Sequence, residues 1–222
     1  KYAVFNNHQL EFIDKSEEID YLIIDRISRD YNIRRAIVSS VREHKDIKLC
    51  IKPMYLSNET KIPIDINYKS SDTLGSDRMS NIVAAVTLYP KRNILVIDAG
   101  SCITIDLIDQ NTIYLGGRIS PGIDMRYKSL PIFTKKLPRL SLSADYRQLG
   151  DDTDSCIISG VQCGVISELD AIIREMQQQN DDLFVLMTGG DAFFFENELK
   201  SNIFAEPNLV LKGLDIILSY NE

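Results

Sequence analysis

Asp77 and Arg78 stand side by side in TLGSDRMSNIVAAV (73–86), where a glycine-serine turn runs into an apolar, alanine-rich segment. A carboxylate can accept a proton, and a guanidinium can hold an anion with its planar fork. Together at the mouth of a buried helix, they suit proton transfer beside an anionic substrate. Asp77 or Ser76 is equally a good helix cap, worth about 1 kcal/mol, and capping alone accounts for either residue. Two further turns carry related chemistry. In IDAGSCITID (97–106) a buried strand delivers Asp98 to its tip, Gly100 permits a sharp reversal, and Ser101 offers an N–H and a hydroxyl. Amides facing a phosphate and a carboxylate facing a cation are what such a turn supplies, although a plain hairpin has the same residues. In TGGDA (188–192), Gly189 and Gly190 end a strand where a flat or phosphorylated ligand can approach the backbone, or where the chain merely turns.

These residues need elements to position them. Residues 1–5 and 9–13 alternate as strands around an NNH turn. Ser16, Glu17 and Glu18 open a helix whose apolar positions, Ile19, Leu22, Ile23 and Ile27, run to Tyr31. AIVSSV (36–41) and IKLCIK (47–52) are short strands, and 53–73 is loop-rich. A helix then runs from Ser76 or Asp77 to about Leu88, before Pro90. ILVIDAG, CITIDLID and TIYLGGRI form three consecutive strands, the first apolar enough to be buried on both faces. Ser120-Pro121 opens a helix near 123–129, and a proline-broken loop leads to a long amphipathic helix over 153–179. LFVLMTGG (183–190) is a buried strand, and a last helix covers 209–219. Strands, helices and a buried strand thus occur twice, which predicts an α/β chain made by duplication. The expected lobes are 1–91 and 92–222, with a cleft between them.

Bulk properties narrow the class. With 44% apolar and 26% charged residues over 222 positions, the chain is expected to be globular. Its net charge of −7 argues against general nucleic-acid binding. No apolar run approaches the roughly 20 residues of a membrane span, and no signal peptide is evident. Cys50, Cys102, Cys156 and Cys163 lack CxxC spacing, and only His8 and His44 accompany them, so a zinc site is not expected. Reduced thiols in the cytoplasm are the expectation. P-loop and Ser/His/Asp patterns are absent from the chain.

In order along the chain, YKSSDTLGSDR, IDAGSCITIDLI, YLGGRISPGI, LGDDTDSCIISGV and VLMTGGDA resemble type III pantothenate kinases, of the acetate and sugar kinase/Hsp70/actin superfamily. The resemblance spans essentially the whole chain and implies two ribonuclease H-like lobes. It implies ATP-dependent phosphorylation of pantothenate to 4′-phosphopantothenate, the first step toward coenzyme A. By position, Asp77 would be the proton acceptor. Tyr68, Gly75, Ser76, Asp77, Arg78 and Thr153 would bind pantothenate, and Ser101, Gly189 and Gly190 would bind ATP. Asp98 would hold a monovalent cation, potassium or ammonium, with Mg²⁺ arriving with ATP. The resemblance also implies a homodimer, to which FFFENEL (193–199) is a candidate contributor, as it is to the core. The resemblance implies a phosphate loop, D-x-G-N-T, immediately before Lys1. It is absent from the sequence as it stands, which would then be expected to bind ATP poorly. KYAVFNN opens in strand rhythm without Met, like the middle of a hairpin whose first strand is missing. Two other readings accompany this one: an accessory regulator on the same fold, and phosphoryl transfer to a sugar or acyl group.

Overall fold

The computed structural model describes residues 1–16, 21–40, 51–70 and 73–222. The helix start at Glu17 to Ile19, most of the strand expected at 47–52, His44 and Cys50 lie outside the described residues. In chain order the elements are β1 (Tyr2–Asn6), β2 (Gln9–Asp14), α1 (Tyr21–Asp30), β3 (Ile37–Val38), β4 (Met54–Tyr55), β5 (Asp65–Ile66) and α2 (Ser76–Leu88). There follow β6 (Ile94–Ala99), β7 (Cys102–Ile108), β8 (Ile113–Pro121), α3 (Ile123–Phe133) and α4 (Thr153–Gln179). The chain finishes with β9 (Phe184–Thr188), α5 (Ala192–Glu198), β10 (Phe204–Ala205) and α6 (Leu209–Tyr220). Two compact units result: residues 1–88 with 208–222, and residues 89–207.

In the first unit, β1 and β2 pair as an antiparallel hairpin whose turn residues Asn7 and His8 are both left-handed, at φ 49° and 64°. This geometry matches the right-handed twist of the strands. β3 and β4 pair in parallel, with Ile37 opposite Met54. Helix α2 is buried from Arg78 through Val86, with no exposed face along that stretch. α6 lies against it, and Gly213 makes the close approach possible, since a Cβ there would collide with the Ser80 carbonyl. The apolar face of α6, Leu209, Leu214 and Ile217, is buried. The expected lobe 92–222 therefore differs from the observed second unit at its end, because α6 packs with the first unit. His8 Nδ1 lies 2.6 Å from Asp215 Oδ2 on α6, fastening the hairpin tip.

In the second unit the strand order is β8-β7-β6-β9-β10. β6, β7 and β8 pair antiparallel, whereas β9 runs parallel to β6 and β10 parallel to β9. This is the ribonuclease H-like arrangement, and the chain is α/β as expected. Alternate residues of β6, Leu95, Ile97 and Ala99, join one core with Ile157, Val161, Val165, Leu169 and Ile173 of α4. α4 is long and apolar enough, by length and composition, to cross a membrane, contrary to the expectation that no such segment exists. Its apolar stripe recurs at helical spacing and is buried on the sheet, which is the pattern of a core helix. The start of α3 also differs from expectation. Pro121 closes β8 opposite Cys102, Gly122 is the N-cap, and α3 continues past Ser129 to Phe133 with Pro131 inside it. Within α5, Phe195 is fully buried and Phe193 is 78% exposed, so FFFENEL serves both the core and the surface.

Candidate functional site

The first constellation is the N-terminus of α2. Gly75 precedes the helix and accepts the Met79 amide at 3.0 Å. Asp77 lies exposed in the first turn, and its Oδ1 accepts the Arg78 amide at 2.8 Å. This carboxylate folds back over Gly75, where a Cβ would come within 2.5 Å of Oδ1. A side chain at position 75 would therefore displace the Asp77 carboxylate without striking backbone. Ser76 is half-buried, its Oγ 2.8 Å from that of Ser39, and its carbonyl accepts the Ser80 hydroxyl at 2.7 Å. Arg78 is only 5% exposed. Tyr68, half-buried, follows β5 by two residues.

The second constellation surrounds the β6–β7 turn. Asp98 is half-buried near the end of β6, flanked by Thr104 on β7 and Thr188 on β9. Gly100 donates to the Cys102 carbonyl at 3.0 Å, which leaves Ser101 exposed at the tip. Two glycines pack on this turn from the neighbouring strands. Gly122 donates to the Ser101 carbonyl at 3.1 Å, and a Cβ there would collide with the Gly100 carbonyl. Gly189 has a φ of 102°, and its Cβ would collide with the Ala99 carbonyl, which accepts the Asp191 amide at 2.9 Å. Gly190 has open space beside it. Ala99 to Ser101 is thus braced from both sides by residues without side chains. The β8–α3 junction carrying Gly122 is itself held by Arg126, which donates to the Pro121 carbonyl at 2.8 Å and pairs with Glu168 at 2.5 Å.

Thr153 is exposed in the first turn of α4. The preceding Asp152 is the N-cap: its Oδ1 accepts the Ser155 amide at 2.7 Å, and Ser155 Oγ accepts the Asp152 amide at 3.1 Å. The Ser155 hydroxyl, which donates to Asp152 Oδ1 at 2.6 Å, and then the Ser155 amide hold the Asp152 carboxyl below its ordinary range. Asp152 and Ser155 thereby form a capping box at the start of α4, and Thr153 is the first residue of that helix.

Asp191 is raised from the ordinary 3.8, first by burial and then by the charge of Asp124. Between the ordinary value and the raised one, the folded chain binds more of that proton than the unfolded chain does. This group's contribution to stability therefore falls as pH rises from the ordinary carboxylate value through the raised one. Asp124→Asn is expected to bring the Asp191 titration down and flatten that slope. Carboxyl carbon NMR and urea midpoints across the acidic range read both effects, and an unchanged Asp191 titration would refute the coupling.

A profile of the type III pantothenate kinase family matches residues 16–175. The chain belongs to the type III pantothenate kinase family. It is 40% identical over 228 residues to the type III pantothenate kinase of Phocaeicola vulgatus, covering all of this chain and 94% of that protein. It is 39% identical over 230 residues to that of Porphyromonas gingivalis, with the same coverage. Among solved structures it resembles a conserved Baf family protein of Campylobacter jejuni, described as a transcriptional activator. There the TM-score is 0.56 and the identity 25%, over 88% of each chain.

Within this type III pantothenate kinase chain, Gly75, Ser76, Asp77 and Arg78 form one continuous turn into α2. Gly189 borders the turn that carries Asp98 and Ser101. Reasoning from sequence missed Gly122 as a brace, although the Pro-Gly pair after a strand was a signal. It also missed Ser39, for which no local pattern exists.

Proposed function

We propose that the chain transfers the γ-phosphoryl group of ATP to the primary alcohol of pantothenate, giving 4′-phosphopantothenate and ADP. The whole-length identity of 40% to a protein bearing the pantothenate kinase name carries this reading. The alcohol is too weak an acid to ionise beforehand, so Asp77 accepts its proton late, as a loose metaphosphate-like transition state passes in line. The carboxylate resting on Gly75 and the Arg78 amide is held in one orientation for that task. Arg78, nearly buried, acts on an anionic or polar substrate group at short range and in a low dielectric. Tyr68, Ser76 and Thr153 supply hydroxyls to pantothenate, while Ser101, Gly189 and Gly190 supply the ATP contacts. The Asp98 carboxylate is a hard oxygen donor suited to potassium or ammonium; that cation, and Mg²⁺ carried with ATP, offset phosphate charge when bound. A cytoplasmic homodimer completes the proposal. The regulator reading is not favoured, since the relatives near 40% identity are named as kinases.

ADP release by the full-length protein, measured with pantothenate in potassium and in sodium salts, tests this function. Activity dependent on pantothenate is expected, and its absence in every salt would overturn the proposal. Asp98→Asn is expected to raise the potassium concentration for half-maximal activity about tenfold, the effect of losing roughly 1.4 kcal/mol of cation binding. An unchanged potassium requirement would remove Asp98 from the cation site.

A further inference from the structure

We infer that Ser39 is a positioning residue for the pantothenate-binding turn, acting through the hydroxyl of Ser76. This inference rests on the function proposed above. Ser39 directly follows β3, at the carboxyl end of a strand paired in parallel with β4. Ligands of α/β sheets gather beyond the carboxyl ends of such strands. Its Oγ lies 2.8 Å from Ser76 Oγ in a part-buried contact across 37 residues of sequence. A free serine hydroxyl samples three rotamers, and a part-buried partner selects one of them. Ser76 is fixed a second way, since its carbonyl accepts the Ser80 hydroxyl at 2.7 Å. The next residue is Asp77, so both the Ser76 hydroxyl and the entry of α2 are set before substrate arrives. A hydroxyl has one proton and two lone pairs, so Ser76 can bond Ser39 and still offer a site to a polar group of pantothenate. Helix α2 needs no partner at position 39 to fold, because its stability comes from the buried run at 78–86.

The test is a double-mutant cycle of Ser39→Ala and Ser76→Ala in the full-length protein, with Ser39→Thr as the conservative variant. Steady-state kinetics are measured with pantothenate and ATP varied separately, alongside thermal melts. Ser39→Ala is expected to raise KM for pantothenate about fivefold, the effect of one ordinary hydrogen bond, with KM for ATP unchanged. Added to Ser76→Ala, it should cost nothing further, because Ser39 works only through that hydroxyl. Ser39→Thr should restore most of the pantothenate KM. Additive effects of the two alanines, an equal rise in both KM values, or failure of threonine to rescue would overturn the inference. A wild-type protein with no pantothenate-dependent ADP release would instead refute the function itself, which separates the two failures.

Discussion

Asp77→Asn is expected to lower kcat for pantothenate phosphorylation at least ~10²-fold, the contribution a positioned general base ordinarily makes. Asparagine has nearly the same shape and keeps an Oδ1 acceptor, so the 2.8 Å bond from the Arg78 amide survives the change. Gly75 still leaves room for the planar group above it. The variant should therefore melt with the wild type and bind pantothenate with similar affinity, while the alcohol loses its proton acceptor. Rapid-quench measurement of a single turnover, beside calorimetric binding of pantothenate, distinguishes a chemical defect from a binding defect. A variant with unimpaired single-turnover rate would take Asp77 out of the reaction. A variant that fails to bind pantothenate would make it a substrate contact instead of a base.

The turn around Asp77 was legible because its signals are local. A small residue before an apolar run announces a helix start, and α2 begins at Ser76. The same holds for α4, Thr153–Gln179, whose apolar period runs along its length; the capping pair Asp152 and Ser155 that fixes its start is seen only in the structure. Elsewhere the deciding contacts are between distant residues. β10 is two residues long and exists as a strand only by pairing with β9. α6 has an ordinary amphipathic pattern, and nothing in that pattern tells which unit it packs in. The answer lies in Gly213, whose missing side chain admits the Ser80 backbone. Pro121 looked like a helix opener on local grounds, but Gly122 must approach the Gly100 carbonyl, which carries Pro121 into the end of β8. Ser39 belongs to the same class, since its partner is 37 residues away.

Gly189 and Gly190 are neighbours in sequence with opposite surroundings, and replacing each by alanine separates scaffold from ligand contact. At 189 the backbone φ is 102°, outside the comfortable range of any residue with a Cβ, and that Cβ would collide with the backbone of Ala99. Strain in this region costs about 1–3 kcal/mol, and overpacking a further ~1–3 kcal/mol. For a chain of this size each kcal/mol lowers Tm by roughly 2–4 °C. Gly189→Ala should therefore melt several degrees early. Because Ala99 leads directly into Gly100 and Ser101, the turn should shift with it, lowering kcat/KM for ATP at least ~10-fold, as small displacements of a binding element do. At 190 a Cβ meets nothing within 4 Å. Gly190→Ala should leave stability within about 0.5 kcal/mol of wild type. If nucleotide approaches the backbone at 190, the added methyl raises KM for ATP and leaves the melt unchanged. Scanning calorimetry and ATP kinetics on the two variants read these outcomes directly. Equal melting temperatures would show that the contact between Gly189 and Ala99 does not hold the turn, and an unchanged KM for ATP in Gly190→Ala would remove that glycine from the nucleotide site.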